Sequence, residues 1–162
     1  TFVRSSRLSH VIGRVPLAER ESFLRLRYTI GGMMVFPANK VEGKMTINGA
    51  RGCHPRIKDR FDLTLECIRR HYLGLESPLS AVLQRYTPFF ALFRDFRGYV
   101  EFFLLQDLVS ADCSAVHCFL PFDGFHPWPV PDSVDAYRAY RAAAMTFLHR
   151  RNERIADLVW PR

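Results

Sequence analysis

A regular apolar stripe in one segment of the chain constrains the fold more than any other feature of the sequence. Its residues follow one another at spacings of four, four, three and four: Ile57, Phe61, Leu65, Ile68 and Tyr72. Because an α-helix has about 3.6 residues per turn, this spacing places all of them on one face. The stripe predicts a long amphipathic helix that packs against a core and ends at Gly74, since glycine commonly terminates helices.

Proline and small polar residues mark the starts of further helices, because they suit the first turn and cap its free amides. This pattern predicts helices that begin near Pro16, Ser77 and Thr87, and a final long helix from Asp132 or Ser133 to about Leu158. Gly31 and Gly98 are expected to end two of them. The segment Tyr99–Val109 is apolar almost all round and predicts a buried helix, with a buried strand as the alternative.

Patterns typical of strands are few and short. Phe2–Ile12 alternates weakly between apolar and polar residues, while Met33–Phe36 and Val116–Phe122 are short apolar runs. We therefore predict a mainly α chain with a few short strands, an α+β fold. A length of 162 residues suffices for a single compact domain, residues 1–162, with a core that needs no disulfide or metal.

The N-terminus and the apolar runs bear on where the protein resides. The chain begins with Thr1 rather than methionine, and its first residues resemble the interior of a protein, so we expect a fragment that lacks an upstream segment. No apolar run approaches the roughly 20 residues of a membrane span, and no signal-peptide pattern is present. The sequence predicts a cytoplasmic protein with no membrane partner and with four free cysteine thiols.

The chain is basic, with a formal net charge of +7, and 20 of its 23 basic residues are arginine. Arginine binds phosphate and carboxylate groups through paired hydrogen bonds, which keeps nucleic acids and nucleotides among the expected partners. Arginine abundance alone is weak ground for a function, because such a charge is equally compatible with an ordinary solvated surface.

A short segment rich in glycine, Asn48–Gly52, precedes the predicted helix. We interpret it as a ligand-binding loop at a helix N-terminus. Its glycines let the backbone approach a ligand, Asn48 and Arg51 can bind an oxyanion, and the following helix adds unpaired amides. The segment lacks the lysine and hydroxyl residue of a Walker loop. The alternative is a tight turn in which Arg51 packs on its neighbours.

Three carboxylates, Asp59, Asp62 and Glu66, lie along the same predicted helix. Their spacings of three and four residues align them, so they could bind a divalent cation or share a proton. On a helical wheel they lie opposite the apolar stripe, together with Arg69 and Arg70. We therefore expect a solvated outer face with local ion pairs. These carboxylates become candidates for a functional site only if another element covers that face.

Four cysteines and six histidines raise the question of a zinc site. No two cysteines have the CxxC spacing of structural zinc sites, and Cys113, His117 and Cys118 lie at or within a predicted strand. The sequence therefore predicts no metal and no other cofactor.

A charged residue interrupts the apolar face of the final helix. Arg151 falls within a stripe formed by Tyr137, Tyr140, Ala144, Leu148 and Ile155. A buried charge without a partner is costly, so we expect Asp107 or Asp95 to pair with Arg151. The functional alternative makes Arg151 and Asn152 ligand contacts beside Asp107.

Seven strings occur in order along the chain: TIGGMMVFP (Thr29–Pro37), INGARG (Ile47–Gly52), IKDRFDLTLECIRRHY (Ile57–Tyr72), SPL (Ser77–Leu79), FRGYVEFFLLQDLV (Phe96–Val109), FLPFDGF (Phe119–Phe125) and RRNERI (Arg150–Ile155). Together they resemble an uncharacterised bacterial family that is known only as a domain of unknown function. The resemblance covers the chain from about Phe23 and implies that members continue upstream, so this chain resembles their C-terminal larger part. The resemblance brings no assigned activity. Its strings contain Asn48, Arg51, Asp59, Asp62, Glu66, Asp107, Arg151 and Asn152, whereas Cys53, His54, Cys113 and Cys118 lie outside or at the edges of them.

The leading functional hypothesis is the binding of a phosphate-bearing ligand, nucleic acid or nucleotide, through a set of ligand contacts at Asn48, Arg51, Asp107, Arg151 and Asn152. A first alternative is a metal-dependent hydrolase or nuclease that uses Asp59, Asp62 and Glu66. A second is a protein-interaction domain or homo-oligomer in a larger bacterial assembly, such as a defence or toxin–antitoxin system, with Phe122–Trp128 as its contact. The sequence leaves open whether the protein is an enzyme.

Overall fold

A computed structural model describes residues 6–160, and this part of the chain is mainly helical, as predicted. Its eight α-helices, in chain order, are α1 (Ser6–Gly13), α2 (Leu17–Arg27), α3 (Ile47–Cys53), α4 (Phe61–Tyr72), α5 (Ser80–Arg85), α6 (Thr87–Ala91), α7 (Phe96–Phe102) and α8 (Val134–Val159). Two short 3₁₀ segments, Ile30–Gly32 and Gln106–Leu108, lie between them. None of the described helices combines the length and the apolar character that crossing a membrane requires.

The predicted strands are not found. Among residues 6–160 the β-pairing consists of one antiparallel bridge, between Val109 and Val116. Met33–Phe36 and Val116–Phe122 therefore lack the ladder of paired backbone groups that defines a strand. The described part of Phe2–Ile12 belongs to helix α1, and the remainder lies outside the described residues.

The described chain divides into two compact units. The first contains Val35–Cys118 and Phe122–Pro129, and the second contains residues 6–34, 119–121 and 130–160. Each unit has buried apolar residues of its own. A single domain over residues 1–162 stays a prediction.

Helix α4 is the most buried helix of the first unit. Every residue from Phe61 to Ile68 is buried. In the predicted stripe, Ile57, Leu65 and Ile68 have no exposed surface, so the apolar face is confirmed as a core face. Burial on all sides also means that α4 is covered on the face opposite the stripe.

The N-terminus of α4 differs from the predicted one. The helix begins at Phe61 rather than at Ile57, because Lys58 and Asp59 have left-handed backbone with φ angles of 51° and 61°. A right-handed helix cannot continue through residues in this conformation. Ile57 nevertheless reaches the core from the preceding turn.

The helix predicted to stop at Gly98 is replaced by two short ones, and Gly98 lies inside the second, α7. The carboxylate of Asp95 caps α7 by accepting a hydrogen bond from the Gly98 amide at 2.8 Å. A Cβ at Gly98 would lie 2.1 Å from the carbonyl oxygen of Phe93, so this close approach requires glycine. The helix predicted over Tyr99–Val109 is cut short after α7, where Leu104 has a φ of 55°.

Helix α8 is the longest element of the second unit. Its cap is Ser133, whose hydroxyl accepts from the amide of Ala136 at 3.1 Å, and it ends at Val159, which confirms the predicted C-terminal helix. The ring of Tyr140 meets the ring of Phe23, from α2, edge-on at 6.2 Å. Helices α2 and α8 thus pack against each other within this unit.

Candidate functional site

The segment predicted as a ligand-binding loop is helical. Asn48–Gly52 lies within α3, which is capped by Thr46 because its hydroxyl accepts from the amide of Gly49 at 3.2 Å. The loop interpretation is therefore wrong: the cap offsets the low helix propensity of asparagine and glycine. Asn48 is exposed on this helix.

Arg51 of α3 holds the turn that leads into α4. Its Nη1 pairs with the carboxylate of Asp59 at 2.5 Å, and its Nη2 donates to the Asp59 carbonyl at 3.2 Å. Its Nε donates to Oγ1 of Thr64 at 3.1 Å, and the Asp59 amide donates to the Arg51 carbonyl at 3.0 Å. Arg51 thus fixes the left-handed turn at Lys58 and Asp59. A direct contact of Arg51 with a ligand stays a prediction.

The acidic face of α4 is buried rather than solvated. Asp62 has no exposed surface, and Glu66 is 3% exposed, so the predicted outer face is wrong for both. The guanidinium of Arg60 binds Asp62 through Nε, at 3.1 Å, and through Nη2. Arg60 also donates from Nη1 to the carbonyl of Pro129 at 2.9 Å. The Phe122–Pro129 segment contributes to covering this face through the bond from Arg60 to Pro129.

Two arginines neutralise Glu66 from the following turn of α4. Arg69 donates to its carboxylate from Nε and Nη2 at 2.8 and 2.9 Å, and Arg70 donates from Nε at 2.8 Å. These pairs confirm the local ion pairs that the spacing predicted. Because Asp59, Asp62 and Glu66 each face an arginine, their arrangement does not favour a cation-binding cluster.

Two cysteines lie in settings that keep their thiols protonated. Burial raises the pKa of Cys67 to about 12, and it raises that of Cys118 to about 12 with a further contribution from the charge of Asp62. A protonated thiol is a poor nucleophile and a poor metal ligand. Across the part of the chain that the structure describes, no three His, Cys, Asp or Glu side chains come together as a metal site would require.

Two cation–aromatic pairs lie between the Phe122–Pro129 segment and the α4 region of the first unit. The Nζ of Lys58 lies 4.7 Å from the ring centroid of Trp128, and the guanidinium of Arg70 lies 5.0 Å from that of Phe125. Trp128 is 50% exposed, so part of its ring remains open to solvent.

An exposed arginine extends this arrangement. Arg56 follows α3 and lines an open cavity together with Phe125. The two cation–aromatic pairs and this residue form one feature that we name the basic–aromatic surface: Arg56, Lys58, Arg70, Phe125 and Trp128. Cations interleaved with exposed rings are typical of surfaces that bind strands of nucleic acid.

Left-handed backbone occurs at two residues of the basic–aromatic surface and at the neighbouring Asp59, as it does at four other described non-glycine residues. Lys58, Asp59 and Trp128 have φ angles of 51°, 61° and 65°. Each such non-glycine residue costs about 1–3 kcal/mol, so surrounding contacts must hold it in place. Arg51 holds the first two, and the Trp128 amide donates to the carbonyl of Pro55 at 3.4 Å.

Arg151 of α8 is buried, at 5% exposure, as its position in the apolar stripe predicted. Its Nη1 donates to the backbone carbonyls of Gly31 and Met33 at 2.9 and 2.8 Å. These bonds offset the free-energy cost of burying the charge of Arg151, and they attach the chain around Gly31 to α8. Asp107 and Asp95, the predicted partners of Arg151, belong to the first unit, so either pairing stays a prediction.

Asn152 completes the attachment of this segment to α8. Its Oδ1 accepts from the amide of Gly31 at 2.8 Å, and its Nδ2 donates to Oγ1 of Thr29 at 2.8 Å. Both polar atoms of the Asn152 amide are therefore occupied by the protein itself. The contacts support a structural role within the second unit, and a ligand contact at Asn152 stays a prediction.

Replacing Gly31 with alanine should lower the free energy of unfolding by about 1–3 kcal/mol. The new Cβ would lie 2.6 Å from Oδ1 of Asn152 and 3.0 Å from the carbonyl oxygen of Leu148, so the bond from Gly31 to Asn152 would have to give way. Gly13→Ala is the matched control, since nothing lies within 4 Å of its Cβ position. Urea unfolding compares the two, and equal losses of stability would contradict the close packing at Gly31.

Sequence reasoning found part of the basic–aromatic surface and missed the rest. Phe122–Trp128 was predicted as an exposed contact, but Arg56, Lys58 and Arg60 were not singled out. The two sides of the surface are far apart in sequence, since Lys58 pairs with Trp128 and Arg70 pairs with Phe125. A tryptophan between two prolines was the available signal, because such a segment cannot form a helix and holds its ring outward.

Comparison with known proteins bears on the family of the chain and not on its activity. No curated protein and no solved structure matches it. A family model does match, over most of the length, and its description assigns no activity. The chain belongs to this family of unknown function (DUF6994), whose match covers residues 1–155.

Proposed function

We propose that the chain binds single-stranded nucleic acid on the basic–aromatic surface, with phosphates on its cations and bases on its rings. The observation that carries the proposal is the pairing of Lys58 with Trp128 and of Arg70 with Phe125, at 4.7 and 5.0 Å. Aromatic rings beside cations suit a strand of any sequence, because every base has a flat face and every nucleotide carries a phosphate.

The exposed ring of Trp128 favours a single strand over a duplex. In a duplex the faces of the bases are stacked on one another, so only a splayed base can lie against a side-chain ring. Half of the Trp128 surface is accessible for such a contact. One stacked base contributes about 1–3 kcal/mol to binding. A free nucleotide carries the same two groups and is the smallest ligand of this class.

The charge of the surface supports a phosphate-bearing ligand. Glu66 is paired with both Arg69 and Arg70, and the exposed carboxylate of Glu76 follows this end of α4. Arg56 and Lys58 add two further cations from the preceding turn. Neutralising phosphates releases counterions, so this charge should make binding depend strongly on salt.

Arg51 has a supporting place in this proposal. Its bonds to Asp59 hold the turn that presents Lys58 beneath the Trp128 ring. Loss of Arg51 would therefore weaken binding by loosening that turn. The direct ligand contacts predicted for Asn48, Asp107 and the α8 residues form no part of the proposal.

The two alternative functions stay predictions. A metal-dependent hydrolase or nuclease would need to free Asp59, Asp62 or Glu66 from an arginine partner, and no observation favours that step. A protein-interaction domain or homo-oligomer would use the same exposed Trp128 that the proposal assigns to a base. Bacterial origin and a cytoplasmic location likewise stay predictions.

Trp128→Ala should weaken the binding of an oligouridylate of about ten nucleotides by roughly five- to 150-fold, the loss of one stacked base. Lys58→Met should weaken it less and should reduce the slope of log affinity against log salt by about 0.7, the effect of one phosphate contact on a single strand. Fluorescence anisotropy of the labelled oligonucleotide measures both. Lys40→Met is the matched control, because Lys40 is exposed elsewhere in the first unit.

The expected slope for the unchanged protein is about −2, given three phosphate-facing cations on the surface. Affinity that does not change with salt, or that falls as much in Lys40→Met as in Lys58→Met, would overturn the proposal. Circular dichroism of each variant verifies that the helical fold is retained.

A further inference from the structure

A cavity of about 360 Å³ opens beside the basic–aromatic surface. Its lining consists of Arg56, Glu76, Ser77, Pro78 and Phe125. The volume lies at the lower end of the range for ligand sites, so a single flat ring system suits it better than a larger molecule. Arg70 connects the cavity to the surface, because its guanidinium packs on Phe125 and donates to the Glu76 carbonyl at 3.3 Å.

The apolar walls of the cavity are held in place before any ligand binds. Arg70 lies over the ring of Phe125, and the ring of Phe122 meets it edge-on at 5.2 Å. Pro78 is rigid by its chemistry. Ser77 is fixed as well, since its amide donates to Oγ of Ser80 at 2.7 Å. Rings held in this way can stack on a base at little cost in conformational entropy.

The polar groups of the lining set the chemistry of the base. Glu76 brings a carboxylate, which only accepts hydrogen bonds, and Arg56 brings a guanidinium, which only donates them. Neither residue forms an ion pair within residues 6–160, so their charges do not satisfy each other. A base that fills the cavity should therefore present two donors on one edge and acceptors on another.

Guanine meets this requirement better than the other bases. Its Watson–Crick edge carries two adjacent donors, N1–H and the N2 amino group, which match the two oxygens of a carboxylate. Its other edge carries the acceptors O6 and N7, the usual partners of arginine. Adenine, cytosine and uracil each place an acceptor beside their donor and would set a lone pair against the Glu76 carboxylate. We infer that this cavity takes one guanine base of the bound strand, an inference that rests on the proposed function.

The test compares labelled oligouridylates that carry guanine, adenine, cytosine or uracil at one central position. The guanine oligonucleotide should bind at least about fivefold more tightly than the other three, the effect of one bidentate pair. Glu76→Gln should abolish this preference. A glutamine amide offers one acceptor and one donor, so it can pair with a base edge on which a donor lies next to an acceptor, as in adenine, cytosine and uracil. Glu101→Gln should retain it, since Glu101 is an exposed carboxylate elsewhere in the first unit.

The outcomes separate this inference from the proposed function. Equal, salt-dependent binding of all four oligonucleotides would contradict the guanine site, but it would still support the binding of a strand at the basic–aromatic surface. A preference that survives Glu76→Gln would likewise overturn the site. Absence of binding to every oligonucleotide would overturn the proposed function and the inference together.

Discussion

Arg60→Met should lower the free energy of unfolding by about 3–5 kcal/mol, because it removes the guanidinium that pairs with the buried charge of Asp62. Asp62 has no exposed surface, and Arg60 is 3% exposed, so water cannot replace the lost guanidinium. The substitution also removes the hydrogen bond from Arg60 to the Pro129 carbonyl. Urea unfolding followed by circular dichroism measures the loss.

A second variant separates the charge from the packing. Replacing both partners, with Arg60→Met and Asp62→Asn, should recover a large part of the lost stability, because no unpaired charge stays buried. Arg14→Met, at an exposed position, should change the stability by less than about 0.5 kcal/mol. If the double variant is no more stable than Arg60→Met alone, the loss in Arg60→Met does not come from an unpaired buried charge.

Arg151→Met should lower the free energy of unfolding by about 2–4 kcal/mol, because the carbonyls of Gly31 and Met33 lose their donor. Methionine fills a similar volume, so the loss reports on hydrogen bonds more than on packing. Differential scanning calorimetry measures the accompanying fall in the melting temperature. This expectation assigns Arg151 to the structure of the second unit, where sequence reasoning alone left a ligand contact open.

Arg25→Met, on the exposed side of α2, is the matched control for Arg151→Met and should change the stability little. Asn152→Ala should lower the stability as well, since it removes the acceptor of the Gly31 amide. A full retention of stability in both Arg151→Met and Asn152→Ala would show that α8 does not hold the chain around Gly31.

The apolar stripe predicted α4 because spacing records which residues share a face. It did not predict that the opposite face is also covered, since the covering segment, Phe122–Pro129, lies far along the chain and has no periodicity. The helical-wheel projection therefore predicted that Asp62 and Glu66 are exposed to solvent, whereas both are buried and paired with arginines in the structure. A pattern within one segment cannot reveal which other segment packs upon it.

Local backbone conformation was the second limit of sequence reasoning. Asn48–Gly52 has the composition of a loop, yet one side-chain cap at Thr46 and the contacts of Arg51 hold it as a helix. Lys58 adopts left-handed backbone that its residue type does not favour, and Arg51 holds the adjoining Asp59 through both backbone and side chain. Tertiary contacts determine such conformations, so a short sequence motif does not predict them.

The structure divides the arginines by task, which composition could not do. Arg51, Arg60 and Arg151 are bound to carboxylates or carbonyls inside their own units. Arg56 lies at the basic–aromatic surface with Lys58, and Arg70 belongs both to this surface and to the ion pair with Glu66. The first group should govern stability, and the second should govern the affinity for a strand.

The most direct test of the basic–aromatic surface is the emission of Trp128 during titration with an oligouridylate. Trp128 and Trp160 are the two tryptophans of the chain, so Trp160→Phe leaves Trp128 as the sole reporter. Stacking of a base should quench the emission of Trp128, with a midpoint that coincides with the midpoint measured by anisotropy. Binding by anisotropy without any change in Trp128 emission would contradict the account, because the strand would then lie elsewhere on the protein.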